Sequence, residues 1–538
     1  MRGTMMDTPL TLGLMLERAA RLFPETEIVS RLPDRSLHRY DYGEMSRRAR
    51  ALSQSLLALG LAPGDRVATL MWNHYVHLEA YFGVPGAGGV VHTLNLRLHP
   101  DDIAYIVNHA GDRVLIVDDV LLPLYERFRD KVGLERVIVA SLSGGRGAQG
   151  YDDYEDFIAG ASGKLAYPAL DENDAAGMCY TSGTTGRPKG VLYSHRAIVL
   201  QSLAICFADT LGMSNRETLL PVVPMFHANA WCQPYAATFA GAKQVFPGPH
   251  LDPESILDLC ARERVTLASG VPTVWLAVVR ALESNPGRWS LAAGMRVMTG
   301  GSAAPESLLR AIERLGMRAT HGWGMTEMTP VGTISRVKRE IDELEGDARY
   351  RLMAKQGVPI PLVDVRVMNE AGEAPWDGTT MGELQVRGPC IASHYYNQPD
   401  ASDRWTEDGW FKTGDVVTMD SEGYLKITDR TKDLVKSGGE WISSVELENA
   451  LMGHPAVAEA AVIAVPHPKW DERPLAVVAL RPGARASAEE LRAHLAGQFA
   501  KWWLPDSFEF VDEIPKTSVG KFQKSALRER YGTGRQVG

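Results

Sequence analysis

Between residues 66 and 300 the chain alternates helix-like segments with short apolar runs rich in β-branched residues, and this alternation restricts its fold more than any other feature. Residues 66–71, 114–117 and 136–140 form one series, and residues 178–180, 219–223, 243–246, 266–268 and 295–298 a second. Runs that are apolar at successive positions suit strands buried on both faces, as in parallel sheets built from βαβ units. The spacing predicts two doubly wound α/β subdomains in succession. Upstream, apolar residues recur at helical spacing, as at Leu52, Leu56, Leu57 and Leu59, interrupted by strand-like residues 38–42. Beyond residue 358 the runs shorten and alternate, as at 365–368 and 383–387, with Gly and Pro between them, which predicts an antiparallel sheet or a small β-barrel-like subdomain. The charged stretch 429–433 reads as a hinge linker. It divides an N-terminal domain, 1–428, from a small α+β C-terminal domain, 434–538, whose last residues form a frayed tail.

Composition narrows the function classes. With 538 residues, 45% hydrophobic and 23% charged, the chain is neither disordered nor fibrous. The net charge of −9, without long runs of one sign, argues against a nucleic-acid partner or a polybasic membrane surface. Cys179, Cys206, Cys232, Cys260 and Cys390 are odd in number and widely spaced, as expected of buried thiols in a reducing compartment. Asp7, Glu17, Arg18 and Arg21 interrupt the first thirty residues, so no secretory signal is expected and the location predicted is cytoplasmic. The longest uncharged stretch, 218–242, carries Pro221, Pro224, Pro234, His227, Asn229 and Gln233, which suits soluble core rather than a transmembrane segment.

The most informative string is Tyr180-Thr-Ser-Gly-Thr-Thr-Gly-Arg-Pro-Lys-Gly190. Glycines let backbone N–H groups converge, hydroxyls add donors, and a lysine adds charge, so a loop of this kind after a strand can wrap a polyphosphate. The glycine spacing, and Gly190 where a hydroxyl would follow the lysine, exclude a Walker A loop. A Gly/Ser/Thr loop alone is equally a surface turn.

The complete string resembles the signature loop of the adenylate-forming enzymes, which include acyl-CoA synthetases, luciferases and nonribosomal-peptide adenylation domains. Further matches follow in family order: Pro224-Met-Phe-His227, Gly300-Gly-Ser-Ala-Ala-Pro305, Gly322-Trp-Gly-Met-Thr-Glu327, Thr413-Gly-Asp415, Asp429-Arg-Thr-Lys-Asp433, Lys436-Ser-Gly-Gly-Glu440 and Pro515-Lys-Thr-Ser-Val-Gly-Lys521. The likeness is greatest to bacterial fatty-acyl-CoA synthetases, with the 3-methylthiopropionyl-CoA ligases also similar. It implies a medium- to long-chain fatty-acid–CoA ligase: a carboxylate is joined to AMP with loss of pyrophosphate, and coenzyme A then takes the acyl group. The substrates implied are a fatty acid, ATP with Mg²⁺, and coenzyme A, and the expected assembly is a homodimer.

Residue by residue, the resemblance implies that the loop binds ATP through Thr181, Ser182, Gly183, Thr184, Thr185, Gly186 and Lys189, with Thr184, Thr185 and Lys189 on the β- and γ-phosphates. Thr326 would hold the α-phosphate, and Glu327 with Thr184 the Mg²⁺. Adenine would lie among Gly301, Ser302, Ala303, Gly322, Trp323 and Gly324, and the ribose on Asp415 and Arg430. Lys521 would bridge the carboxylate and the α-phosphate. The C-terminal domain would then rotate about Lys432, exchanging Lys521 for Lys436, Trp441 and the CoA-binding Gly438, Gly439 and Glu440. His227, catalytic beside the carboxylate, would share a helical face over residues 226–235 with Trp231, and Val271, Pro272, Gly300 and Val331 would complete the acyl pocket.

Each residue also has a plainer explanation when taken alone. Glu327 can be a solvated helix-end carboxylate, Asp415 a turn residue, Trp323 and Trp231 packing aromatics, Gly438-Gly439 an ordinary turn and Lys521 a solubilising lysine. Three other activities compete with the ligase: luciferase-like oxidation of the adenylate, acyl transfer to a carrier protein, and a non-catalytic binding relative. Gly-Gly-Glu-Trp at 438–441 argues against the first, and retention of both Glu327 and Lys521 against the last.

Overall fold

The apolar runs pair as parallel strands, but their grouping into sheets does not follow chain order. The computed structural model describes residues 1, 3–145, 148–162, 168–181, 187–341, 343–438, 440–516 and 522–532. One sheet has seven strands in the order Asp152–Asp153, Arg136–Ala140, Asp112–Asp118, Arg66–Leu70, Val90–Thr93, Ala175–Tyr180 and Gly190–Ser194, parallel except for the last pair. The strand at 178–180, expected to open the second series, therefore lies in the first sheet, paired with Val90–Thr93 through Val91 opposite Gly177.

The second sheet has nine strands: Val358–Pro359, Val331–Ser335, Arg318–Gly324, Arg296–Gly300, Leu267–Gly270, Thr218–Pro221, Lys243–Phe246, Glu27–Arg31 and Leu37–Asp41. The N-terminal hairpin closes its far edge, so the chain starts in one sheet, builds the other, and returns. The largest core cluster lies between the sheets, where Met15, Leu52, Tyr81, Ile198 and Tyr235 pack together. Asn73, after strand Arg66–Leu70, locks the layers. Its Nδ2 donates to the Pro221 and Val223 carbonyls, both at 2.9 Å, and its Oδ1 accepts the Met225 N–H at 2.7 Å. A buried amide satisfied at both ends fixes the strand exit that leads to His227.

The barrel-like unit is realised as a five-stranded antiparallel sheet with two edges, ordered Gly372–Glu373, Asp364–Asn369, Gly382–Arg387, Phe411–Met419 and Leu425–Arg430. After the hinge, strands Val435–Ser437, Glu440–Ile442, Val457–His467, Asp471–Leu480 and Ser507–Val511 form one sheet, with helices Ser444–Met452, Ala488–Ala496 and Lys524–Tyr531 in the same unit. This is the α+β unit expected. Among the described residues, no helix is long and apolar enough to cross a membrane.

Residues 226–235 do not form the expected right-handed helix. Ala228, Asn229, Ala230, Trp231 and Cys232 have φ of 43°, 53°, 49°, 56° and 61°, making one left-handed turn, and a right-handed helix, Gln233–Ala240, begins only afterwards. A continuous right-handed helix would need an N–H from Pro234 toward the Ala230 carbonyl, which proline lacks. Each L-residue in this conformation costs about 1–2 kcal/mol. Burial of the whole turn offsets that cost, and the Asn229 side chain accepts from Cys179 Sγ at 3.3 Å.

Glycine tolerates positive φ, so Ala230→Gly is expected to cost under about 0.5 kcal/mol, strain relief cancelling the lost methyl burial. Ala236→Gly, in the buried right-handed helix that follows, is expected to cost about 1–2 kcal/mol. Urea unfolding of both variants checks the handedness, and equal losses would contradict it.

Candidate functional site

Strand ends from both sheets converge on one cavity of about 340 Å³. Strand Ala175–Tyr180 delivers Thr181, strand Arg296–Gly300 ends at its wall, and strand Arg318–Gly324 runs into the turn Thr326–Met328. Ligands in open α/β sheets bind at such carboxyl ends. The phosphate-loop candidate is fastened at its neck: Thr181 N–H donates to the Lys189 carbonyl at 2.9 Å, and Lys189 N–H to Thr181 Oγ1 at 3.1 Å. Ser182, Gly183, Thr184, Thr185 and Gly186 lie outside the described residues, as do Lys521 and Gly439.

The cavity is strongly cationic although the protein is acidic. Arg187, Lys189, Arg404, Arg430 and Lys432 line it, with Glu327 as the one carboxylate among the described residues. Lys189 Nζ sits 4.7 Å over the Tyr395 ring, and the Tyr395 hydroxyl donates to Glu327 Oε1 at 2.6 Å. Tyr395 thus holds the carboxylate while leaving the lysine charge available to an anion. Tyr193 O–H donates to the Thr326 carbonyl at 2.7 Å and fixes the turn that carries both Thr326 and Glu327. Burial lowers the Lys432 pKa, whereas the Asp415 carboxylate raises that of Arg430.

Asp415 Oδ2 accepts Trp323 Nε1–H at 2.8 Å, and Arg430 Nε lies 3.2 Å from Oδ1. The tryptophan therefore orients the ribose candidate through its N–H as well as presenting a ring face beside Gly322 and Gly324. Ser302, Ala303, Trp323 and Asp415 face a second cleft of about 210 Å³ shared with Gly301, whose far wall belongs to the C-terminal unit through Glu448, Phe522 and Lys524.

His227, Trp231, Gly300 and Val331 line an apolar lobe of the first cavity with Ala228 and Met298. Trp231 is only 6% exposed. A methyl group on Gly300 would stand 2.7 Å from the Gly322 carbonyl and 3.5 Å from the Trp231 ring, so the lobe has this shape only with glycine there. Val271 and Pro272 do not line the cavity: Val271 caps helix Pro272–Ser284 and Pro272 is its first residue. Lys436, Gly438 and Trp441, with Glu440 in the same hairpin backbone, are the CoA-step candidates, and the first three stand away from both clefts. They belong to the hairpin Val435–Ser437/Glu440–Ile442, with Lys436 Nζ 5.0 Å over the Trp441 ring and Gly438 N–H on the Trp470 carbonyl. In this arrangement it is the Phe522–Lys524 side of the C-terminal unit that faces the nucleotide cleft.

Tyr395, Tyr193, Arg187 and Arg404 were not among the sequence candidates. Arg187 lies inside the signature string, where its charge was a usable signal; the others carry no local pattern. Among the described residues no three His, Cys, Asp or Glu side chains cluster to hold a metal unaided. A single buried carboxylate in a cationic cavity suits Mg²⁺ arriving with phosphates, since that ion keeps several waters and takes one or two carboxylates.

Comparison with known proteins agrees with this geometry. Residues 16–396 match the AMP-binding enzyme family and residues 446–521 the AMP-binding enzyme C-terminal domain. A long-chain-fatty-acid–CoA ligase of Thermus thermophilus is 53% identical over 98% of this chain and 97% of its own. A 3-methylmercaptopropionyl-CoA ligase of Ruegeria lacuscaerulensis is 43% identical over 99% of both. The crystal structure of the anthranilate CoA ligase AuaEII with anthranoyl-AMP superposes with a TM-score of 0.86 at 25% identity, covering 97% of this chain and 98% of that one. The chain belongs to the AMP-binding enzyme family.

Proposed function

We propose that the protein is an ATP-dependent, AMP-forming fatty-acid–CoA ligase acting on medium- to long-chain acids. The observation that carries this is one cavity with five cations at its polar end and an apolar lobe beside His227. A carboxylate and a triphosphate repel each other, and preorganised cations offset that repulsion without reorganising during reaction. Lys189 and Arg187 receive the terminal phosphates, Thr326 the α-phosphate, and Asp415 the ribose, oriented by Trp323. Glu327 and Thr184 would hold Mg²⁺, which neutralises phosphate charge when bound. His227 keeps the acid's carboxylate at the junction of the two lobes, and Lys521 bridges it to the α-phosphate. The Gly438–Trp441 hairpin serves the CoA step after the C-terminal unit turns about Lys432. The same proposal includes a cytoplasmic homodimer, checked by light scattering.

One feature favours a second substrate class. Trp231, a large buried side chain, lines the cavity beside Gly300 and Val331, and bulk at that wall suits 3-methylthiopropionate or another short acid.

Pyrophosphate release from Mg-ATP, measured with acetate through palmitate, 3-methylthiopropionate and a cinnamate, is expected to require an acid and to peak with a medium or long chain when CoA is present. No release with any acid would overturn the ligase. Lys521→Ala is expected to slow adenylation by about 10²-fold or more while leaving thioester formation from a supplied acyl-adenylate within about threefold. Trp231→Ala is expected to change relative kcat/KM between adjacent even chain lengths by about tenfold, and an unchanged profile would remove its gating role.

A further inference from the structure

Both ends of the hinge carry a buried carboxylate, and one helix of the C-terminal unit answers both. Asp429 ends in strand Leu425–Arg430, which belongs to the antiparallel sheet of the N-terminal domain. Its Oδ2 accepts the Ser444 N–H at 2.7 Å and the Ser444 hydroxyl at 2.6 Å. That hydroxyl in turn accepts from Lys524 Nζ at 2.6 Å, and Nζ also lies 2.7 Å from Glu448 Oε1. One turn further along helix Lys524–Tyr531, Arg528 pairs with Asp433 at 2.5 Å. The relay from Lys524 through Ser444 to Asp429 crosses the boundary between the two units, and the Arg528 pair secures the far end of the hinge.

Asp429 is 1% exposed and the Lys524 side chain 11%, so neither group is screened by water. The cluster holds three carboxylates against two cations, and burial pushes the Glu448 pKa up to about 7. Glu448, Asp429 and Asp433 each raise the Lys524 pKa, Glu448 most, so the lysine is held by its own unit and by the hinge carboxylates together. Lys524, Phe522 and Gln523 line the cleft opposite Ser302, Trp323 and Asp415. Withdrawal of the C-terminal unit would strip Asp429 of both Ser444 donors and leave the Arg430 N–H with water in their place.

We propose that Lys524 is a positioning residue: through Ser444 and Asp429 it fastens the C-terminal unit in the orientation that keeps Phe522 and Gln523, next in the chain to Lys521, at the nucleotide cleft. This deepens the ligase proposal and rests on it. Lys524 acts through Ser444 and Asp429, biasing the orientation in which adenylation proceeds.

The test separates the two half-reactions. Acid-dependent exchange of pyrophosphate into ATP reports adenylation, and thioester formation from a supplied acyl-adenylate and CoA reports the second step. Lys524→Met and Asp429→Asn are expected to slow the first by about ten- to hundredfold and the second by less than about threefold, with Lys524→Arg restoring most of the loss. Hydrogen exchange of the peptide spanning 429–434 is expected to accelerate in both variants. Should either fail to fold, Ser444→Ala removes only the bridging hydroxyl and is expected to shift the same ratio in the same direction. Equal slowing of both steps, or unchanged exchange at the hinge, would overturn the proposal. If the parent protein activates no acid at all, the ligase proposal fails separately, and hinge exchange alone then decides whether the fastening exists.

Discussion

The mutual repulsion of a carboxylate and a polyphosphate is the constraint on which this structure depends. At an effective dielectric near 20, two unit charges about 4 Å apart interact by about 4 kcal/mol, and a triphosphate multiplies that figure. The protein carries a net charge of −9, so bulk charge does not help an anionic substrate enter. Attraction is local, and it is gathered from separate parts of the chain: the phosphate-loop candidate contributes Arg187 and Lys189, the turn before Trp405 contributes Arg404, and the hinge contributes Arg430 and Lys432. Lys189 is held over the Tyr395 ring, and burial lowers the pKa of Lys432.

Such convergence demands that several elements keep a fixed relative position. The two parallel sheets meet where their strands end, and Asn73 spans the junction with three hydrogen bonds to the exit of strand Thr218–Pro221. Tyr81 and Thr93 add donors to the Met225 and Phe226 carbonyls along the same stretch. The backbone that delivers His227 is therefore gripped by the sheet that also delivers Thr181. Across the cleft, the C-terminal unit is fastened by a relay whose members are almost wholly buried. Rigid placement within the N-terminal domain and an electrostatic fastening at the hinge meet at one nucleotide cleft.

Much of this was legible in the sequence, for reasons that differ from residue to residue. Strands such as Arg136–Ala140 and Lys243–Phe246 were recognisable because burial on both faces demands continuous apolar runs. Their grouping was not, since strand 175–180 joins the first sheet after a long connection that no local pattern encodes. The site motifs carry glycines and hydroxyls that stand out, so Thr181, Lys189, Glu327 and Asp415 are candidates from the sequence alone. Tyr395 was missed because it is an ordinary aromatic until the fold brings it to Glu327, 68 positions away. Val271 and Pro272 were misplaced because adjacency to a strand end does not specify which face of the following helix the ligand sees.

The segment 228–232 is where sequence expectation and structure diverge most usefully. Apolar spacing there fits a right-handed helix, yet Pro234 removes the donor such a helix needs, and five successive residues adopt the opposite hand. Strained backbone persists only where its surroundings overdetermine it, and this turn is clamped by Cys179, Ser202 and the Asn73-held strand exit. The strain stands at the cavity wall, which Ala228 and Trp231 line. A cavity wall built from residues in an unfavourable conformation differs from relaxed core packing, because its shape persists only through the contacts that hold the turn.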